Sequence, residues 1–172
     1  FLTILFNRCF MFYRYLILAL ALCVFTSCQK DPLTEDQKKI REELIDLGIE
    51  VLGNDVLSVN LKNNQEVTPE LLEKIVSFGK VSYINLHGTN VTDEGLKVLQ
   101  DAEGVETIFL TDTDITDEGL SYLADLSDLI ILHLPSSITD VGFETVGQLT
   151  ALRTLIAENC EVTDVGMAEL EN

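Results

Sequence analysis

Residues 111–119, TDTDITDEG, place four acidic side chains in nine positions ahead of a glycine. Carboxylates so spaced could serve as the oxygen ligands of a calcium loop, with Asp112, Asp114 and Asp117 as candidates. A helix–loop–helix calcium loop takes ligands at places 1, 3 and 5, glycine at 6 and glutamate at 12. Counted from Asp112, place 5 is Thr116, place 6 is Asp117 and place 12 is Tyr122. The register fails, which leaves only a looser arrangement between neighbouring segments. Nucleophilic chemistry fares no better. Cys160 has neither a base nor an orienting partner near it in sequence, and a catalytic thiol needs both. There is no nucleophile elbow, HExxH or phosphate loop. The expectation is no enzyme, no resident metal and no cofactor.

The elements that carry these residues repeat. VSYINLHGTNVTDEGLKVLQDAEG (81–104) is followed by VETIFLTDTDITDEGLSYLADLSD (105–128), LIILHLPSSITDVGFETVGQLTA (129–151) and LRTLIAENCEVTDVGMAEL (152–170), and preceded by VLSVNLKNNQEVTPELLEKIVSFGK (56–80). A period of 23–25 residues marks a solenoid, whose units bury their apolar faces on one another. Apolar residues open each row at the first, fourth and sixth places, as Val105, Ile108 and Leu110 do, and the alternation across the last two is a strand signal. A small, mostly polar column follows: Asn64, Thr89, Thr113, Ser137 and Cys160. Short side chains there can satisfy backbone groups where strand bends into turn, so Cys160 reads as one of that column.

Next in each row comes V/I-T-D/P-x-G-Φ. Thr116 is a helix N-cap, and Asp117 and Glu118 fall in the first turn, where the helix dipole favours negative charge. Ile115 and Leu120 form a hydrophobic staple, and Gly119 clears space where the turn approaches the neighbouring coil. Asp112 and Asp114 alone have no structural account at this level.

These rows resemble leucine-rich repeats of the TDxGL kind, close to the cysteine-containing and ribonuclease-inhibitor-like subclasses, over about residues 56–172. The resemblance implies an α/β solenoid: about five short parallel strands on a concave face, helices on the convex face, and partners bound on the strands. By the alternation, solvent-facing strand residues form columns. One is Ser58, Tyr83, Thr107, Ile131, Thr154; the next is Asn60, Asn85, Phe109, His133, Ile156; the third is Lys62, His87, Thr111, Pro135, Glu158. Tyr83, Asn85, Phe109, Ile131, His133 and Ile156 are the candidate binding residues. His87 and His133, the only histidines, fall two coils and one column apart, roughly 10 Å or more at ~4.8 Å per strand. That is too far for one zinc ion.

Residues 29–55 read as a short linker and an N-terminal capping helix. In TEDQKKIREELIDLG (34–48), Thr34 and Gln37 make a capping box, Ile40, Leu44 and Leu47 share a face, and Gly48 stops the helix. Residues 1–28 form a leader, with Met11 the sensible start and residues 1–10 an artefact of delimitation. Arg14, the apolar LILALALCVF and the small TSC compose a secretion signal. Phe25-Thr26-Ser27-Cys28 resembles the lipobox of bacterial lipoproteins, although Phe25 stands where that class usually has leucine. The resemblance implies cleavage before Cys28 and lipid on its sulfur, hence a cell-envelope location. An ordinary signal leading to secretion, or an uncleaved anchor, is the alternative. Once Cys9, Cys23 and Cys28 are assigned to the leader, Cys160 is alone and no internal disulfide can form.

After residue 28, all 29 acidic residues face nine basic ones, a net of −20, and from Asp101 onward Arg153 is the single base against sixteen acids. Such a surface repels phosphate backbones, so nucleic acid is excluded as a partner. The expected function is non-catalytic binding of a protein or peptide. The alternative is a structural, self-associating envelope component.

Overall fold

The computed structural model describes residues 33–46, 49–52 and 57–171; the leader and Cys28 lie outside the described residues. Helix α1 (Glu35–Asp46) and strand β1 (Glu50–Leu52) come first. Five coils follow, each a strand, a turn and a helix. Coil 1 is β2 (Leu57–Asn60) with α2 (Pro69–Ser77), and coil 2 is β3 (Val81–Asn85) with α3 (Asp93–Lys97). Coil 3 is β4 (Thr107–Phe109) with α4 (Asp117–Ser121). Coil 4 is β5 (Ile131–His133) with α5 (Asp140–Gln148), and coil 5 is β6 (Thr154–Ile156) with α6 (Asp164–Ala168).

One sheet runs in the order β1 to β6 and is parallel from β2 onward. Parallel neighbours require a crossover, which each coil's helix supplies. Val59, Ile84, Ile108 and Leu132 stand in register and are fully buried beneath the sheet. Leu61, Leu86, Leu110 and Leu134 continue the same layer. On the helix side, Leu72, Leu96, Leu120 and Phe143 close the core from the position after each glycine or its equivalent. No coil holds a complete core of its own, which is why the period and not any single row specifies the fold.

The N-terminal cap has two parts, of which sequence spacing showed one. Thr34 and Gln37 form the predicted capping box: the Gln37 N–H donates to Thr34 Oγ1 at 3.2 Å, and the Thr34 N–H to Gln37 Oε1 at 3.0 Å. Leu44 is buried and Ile40 packs on the core, while Leu47 and Gly48 lie outside the described residues. Gln37 Nε2 donates to the Phe78 carbonyl at 2.7 Å, and Lys74 pairs with Glu43 at 2.6 Å, fastening α1 to coil 1. The second part is β1, which pairs antiparallel with β2, Val51 opposite Val59. It occupies an edge that would otherwise offer unpaired backbone groups to another chain.

Past the strands, backbone bonding between coils continues into the turn. The N–H groups of Leu86, Leu110 and Leu134 donate to Phe109, His133 and Ile156 carbonyls of the following coil, at 2.8–2.9 Å. Two residues later Asn63, Gly88, Asp112 and Asn159 share a left-handed conformation, φ 57–66°. Glycine, asparagine and aspartate adopt it most readily. Asp112 therefore has a backbone role. Coil 4, one residue shorter, turns through Ser136 without a left-handed residue.

Candidate functional site

The acidic turns are built as joints between coils. Asp117 sits at the first helical position of α4, yet its carboxylate reaches coil 4: Oδ1 accepts the Thr139 N–H at 3.0 Å and Oδ2 accepts the Thr139 hydroxyl at 2.6 Å. Asp93 receives the same pair from Thr116, at 2.9 and 2.7 Å. Asp140 receives it from Thr163 at 2.7 and 2.6 Å, and adds the Gly166 N–H at 3.2 Å. Each threonine oxygen meanwhile caps its own helix, accepting from Glu118, Val141 or Val165 N–H at 3.2–3.3 Å. The expectation of helix caps holds, but dipole complementarity alone is too small a role for the aspartates. Both oxygens of Asp117 accept from protein donors, which gives this carboxylate a role in joining the coils. Asp114 is exposed, and nothing in the structure explains it.

The glycines follow from these carboxylates. A Cβ on Gly119 would overlap Asp93 Oδ1, and one on Gly142 or Gly166 would fall 2.5 Å from Asp117 or Asp140 Oδ1. The small column divides in two. Thr89 and Thr113 hydroxyls donate to Leu86 and Leu110 carbonyls within their own turns, at 2.8 and 2.6 Å. Ser137 Oγ donates to the Ile115 carbonyl and Cys160 Sγ to the Pro135 carbonyl, both in the preceding coil. Burial, and then the Asp117 charge, push the Cys160 thiol above its ordinary range. That is the opposite of an activated nucleophile.

On the open sheet face, strand register brings most of the candidate residues together. Tyr83 and Phe109 rings lie 5.6 Å apart, tilted 52°. Phe109 and His133 lie 4.1 Å apart at 42°, and Ile156 stands beside His133 in the ladder. All four are half-buried. Ile131 is in the Tyr83 column but is separated from it by Thr107. Asn85 neighbours Phe109, but its side-chain oxygen is taken by the His87 N–H at 3.0 Å. Burial holds the His133 imidazole below its ordinary range, with Glu158 pulling the other way, so at neutral pH the strip carries no charge of its own.

A hollow of about 320 Å³ lies over this strip, bounded by Lys62, His87, Phe109, His133, Ile156 and Glu158. It brings both histidines to one surface. His87 Nε2 is 3.8 Å from Asp112 Oδ2, but among the described residues no three His, Cys, Asp or Glu side chains stand together as metal ligands. The hollow offers an aromatic and aliphatic floor, with Lys62 and Glu158 on its walls. A second depression of about 690 Å³ opens at the row starts, between Lys80, Glu106, Asp128 and Arg153. The columns gave no hint of it, because its residues come from the irregular links between helix and strand.

Residues 103–124 match the family described as Leucine Rich repeat. No curated protein matches the chain. Among solved structures, the chain is similar to an internalin from Listeria monocytogenes, with 18% identity and a TM-score of 0.37 over 68% of this chain and 45% of that one. It thus spans less than half that protein's length. The repeated strand–turn–helix coils and their single parallel ladder make the fold an α/β leucine-rich repeat solenoid.

Proposed function

We propose that the protein is a non-catalytic binding module that takes a protein or peptide on the open face of its sheet. The observation that carries this reading is the run Tyr83, Phe109, His133 and Ile156, which crosses four strands in side-chain contact or register while half exposed. Cross-strand pairing alone favours aromatic side chains. A contiguous exposed strip of them is also the usual anchor of an interface. The leucine-rich repeat fold supports the reading, since proteins of this kind typically bind other proteins. Replacing Tyr83 and Phe109 with serine should reduce capture of a partner from cell-envelope extract at least tenfold while the unfolding transition stays cooperative. Undiminished capture by the double variant would count against the strand face.

The same reading includes export and a lipid anchor on Cys28, supported by the Phe25-Thr26-Ser27-Cys28 stretch after the apolar leader. Cys28→Ala should free the protein from the membrane fraction and abolish labelling by a radioactive fatty acid. Retention without label would instead indicate an uncleaved anchor.

A further inference from the structure

The strand-face columns hold two fixed charges, one at each end of the ladder. Lys62 belongs to coil 1 and Glu158 to coil 5, and the positions between them in that column are His87, Thr111 and Pro135. Both charged residues are exposed, and neither has an ion pair or a side-chain hydrogen bond among the described residues. Elsewhere the chain does pair lysines, Lys38 with Glu35 and Lys74 with Glu43. Lys62 and Glu158 line the same hollow, whose floor between them is Phe109, His133 and Ile156. Glu158 is close enough to pull the His133 imidazole upward against its burial. Asp112 stands 3.8 Å from His87 Nε2 and is not one of the walls.

We propose that the hollow takes an extended peptide segment of mixed charge, with an acidic side chain on Lys62, a basic one on Glu158, and an aromatic or aliphatic one between them on Phe109 and His133. This deepens the strand-face reading above and rests on it. Lys62 and Glu158 stem from coils four steps apart, roughly 19 Å at ~4.8 Å per strand. That is the reach of about six extended residues. The wider charge distribution runs the same way: over residues 33–80 six bases face ten acids, whereas over 81–172 two face eighteen. A basic group is therefore drawn to the coil 5 end. Net charge alone would select a purely basic ligand, and the unpaired Lys62 is what argues for a mixed one. Opposite charges at the two ends of an apolar floor fix register and orientation.

The test pans a phage library of random heptapeptides against the intact chain and three variants, and reads the enriched sequences. The intact chain should enrich peptides in which an acid and a base flank an apolar residue, at least tenfold over the starting library. Lys62→Glu should replace the acid by a second base, and Glu158→Lys should replace the base by a second acid. Both positions are exposed and free of side-chain bonds, so these variants should fold as the parent does. The inference is overturned if the intact chain and both variants enrich the same peptides, or basic peptides throughout, as net charge alone would dictate. The third variant, Tyr83→Ser with Phe109→Ser, separates the two readings. If it loses enrichment while the charge preference ignores positions 62 and 158, the strip stands and only this inference falls. Undiminished enrichment there removes the strip and this inference with it, and an intact chain that enriches nothing removes both.

Discussion

The joint between coils 1 and 2 and the joint between coils 2 and 3 do the same work with different chemistry. In the second, Asp93 holds Thr116 by two hydrogen bonds and Gly119 makes room for it. In the first, Pro69 occupies the aspartate position and Thr92 makes no side-chain cap bond. Amides fasten it instead: Asn90 Oδ1 accepts the Val67 N–H at 3.0 Å, and Gln65 Nε2 donates to the Gly88 carbonyl at 2.7 Å. The contrast shows that aspartate, threonine and glycine form one device shared by two coils. Where the carboxylate is absent, the neighbouring glycine position loses its tight contact. A Cβ on Gly95 would meet only Val91 Cγ2 at 3.1 Å and Leu72 Cδ1 at 3.4 Å.

The largest break in that contrast should come from alanine at the two glycines. Gly119→Ala forces a methyl into the Asp93 carboxylate and should cost about 2 kcal/mol, after allowing for the better helix propensity of alanine. Gly95→Ala should lie within about 0.5 kcal/mol of neutral, because the helix gain offsets a slight squeeze. Urea unfolding of both variants checks the difference, and equal losses would remove the carboxylate from the explanation. Next in size is Asp117→Ala, which strands the half-buried Thr139 donors and should cost about 1–2 kcal/mol. Thr139→Val should remove much of the same energy, so a double-mutant cycle should be strongly non-additive.

A smaller and opposite effect is expected at the first joint. Pro69→Asp supplies the missing acceptor opposite Thr92, beside a glycine already in place, and should stabilise by roughly 0.5 kcal/mol. The gain should vanish in a Thr92→Val background. The smallest effect is on acid response. The Thr163 hydroxyl, then its N–H and that of Gly166, hold the Asp140 carboxyl below its ordinary range. A carboxyl depressed in the folded state stabilises fully above its unfolded value, and the contribution disappears as pH falls through the folded one. The unfolding midpoint should therefore drop below the ordinary carboxylate range, and Asp140→Asn should flatten that part of the profile.

Within one row, residue types were enough. Period, strand columns, threonine caps, the Thr34–Gln37 box and the buried face follow from short spacings, and the structure has them, with Thr92 the one threonine at a helix start that makes no cap bond. The candidate strip was legible too, because strict alternation assigns Tyr83, Phe109 and His133 to a common side. Relations between rows were not. Asp117 and Thr139 are 22 residues apart, and each alone looks complete as a helix-start residue, so nothing local demands that they meet. Asp112 looked like surplus charge because its reason is a backbone angle. β1 contributes three residues to the sheet, too few to show a period. Asn85, a candidate binding residue, also accepts the His87 N–H in its own turn, a bond that residue types alone do not show.

Among the described residues, the aspartate–threonine bonds that join coils 2 to 5 all point the same way along the chain, from an earlier aspartate to a later threonine. The helix start of each of coils 3 to 5 is therefore held by a neighbour that precedes it in the chain. The amide joint between coils 1 and 2 lacks that direction: Val67 of the earlier coil donates to Asn90, and Gln65 of the same coil to the Gly88 carbonyl. Each acidic turn is thus synthesised before the threonine it holds, so a coil's acceptor exists before its donor does.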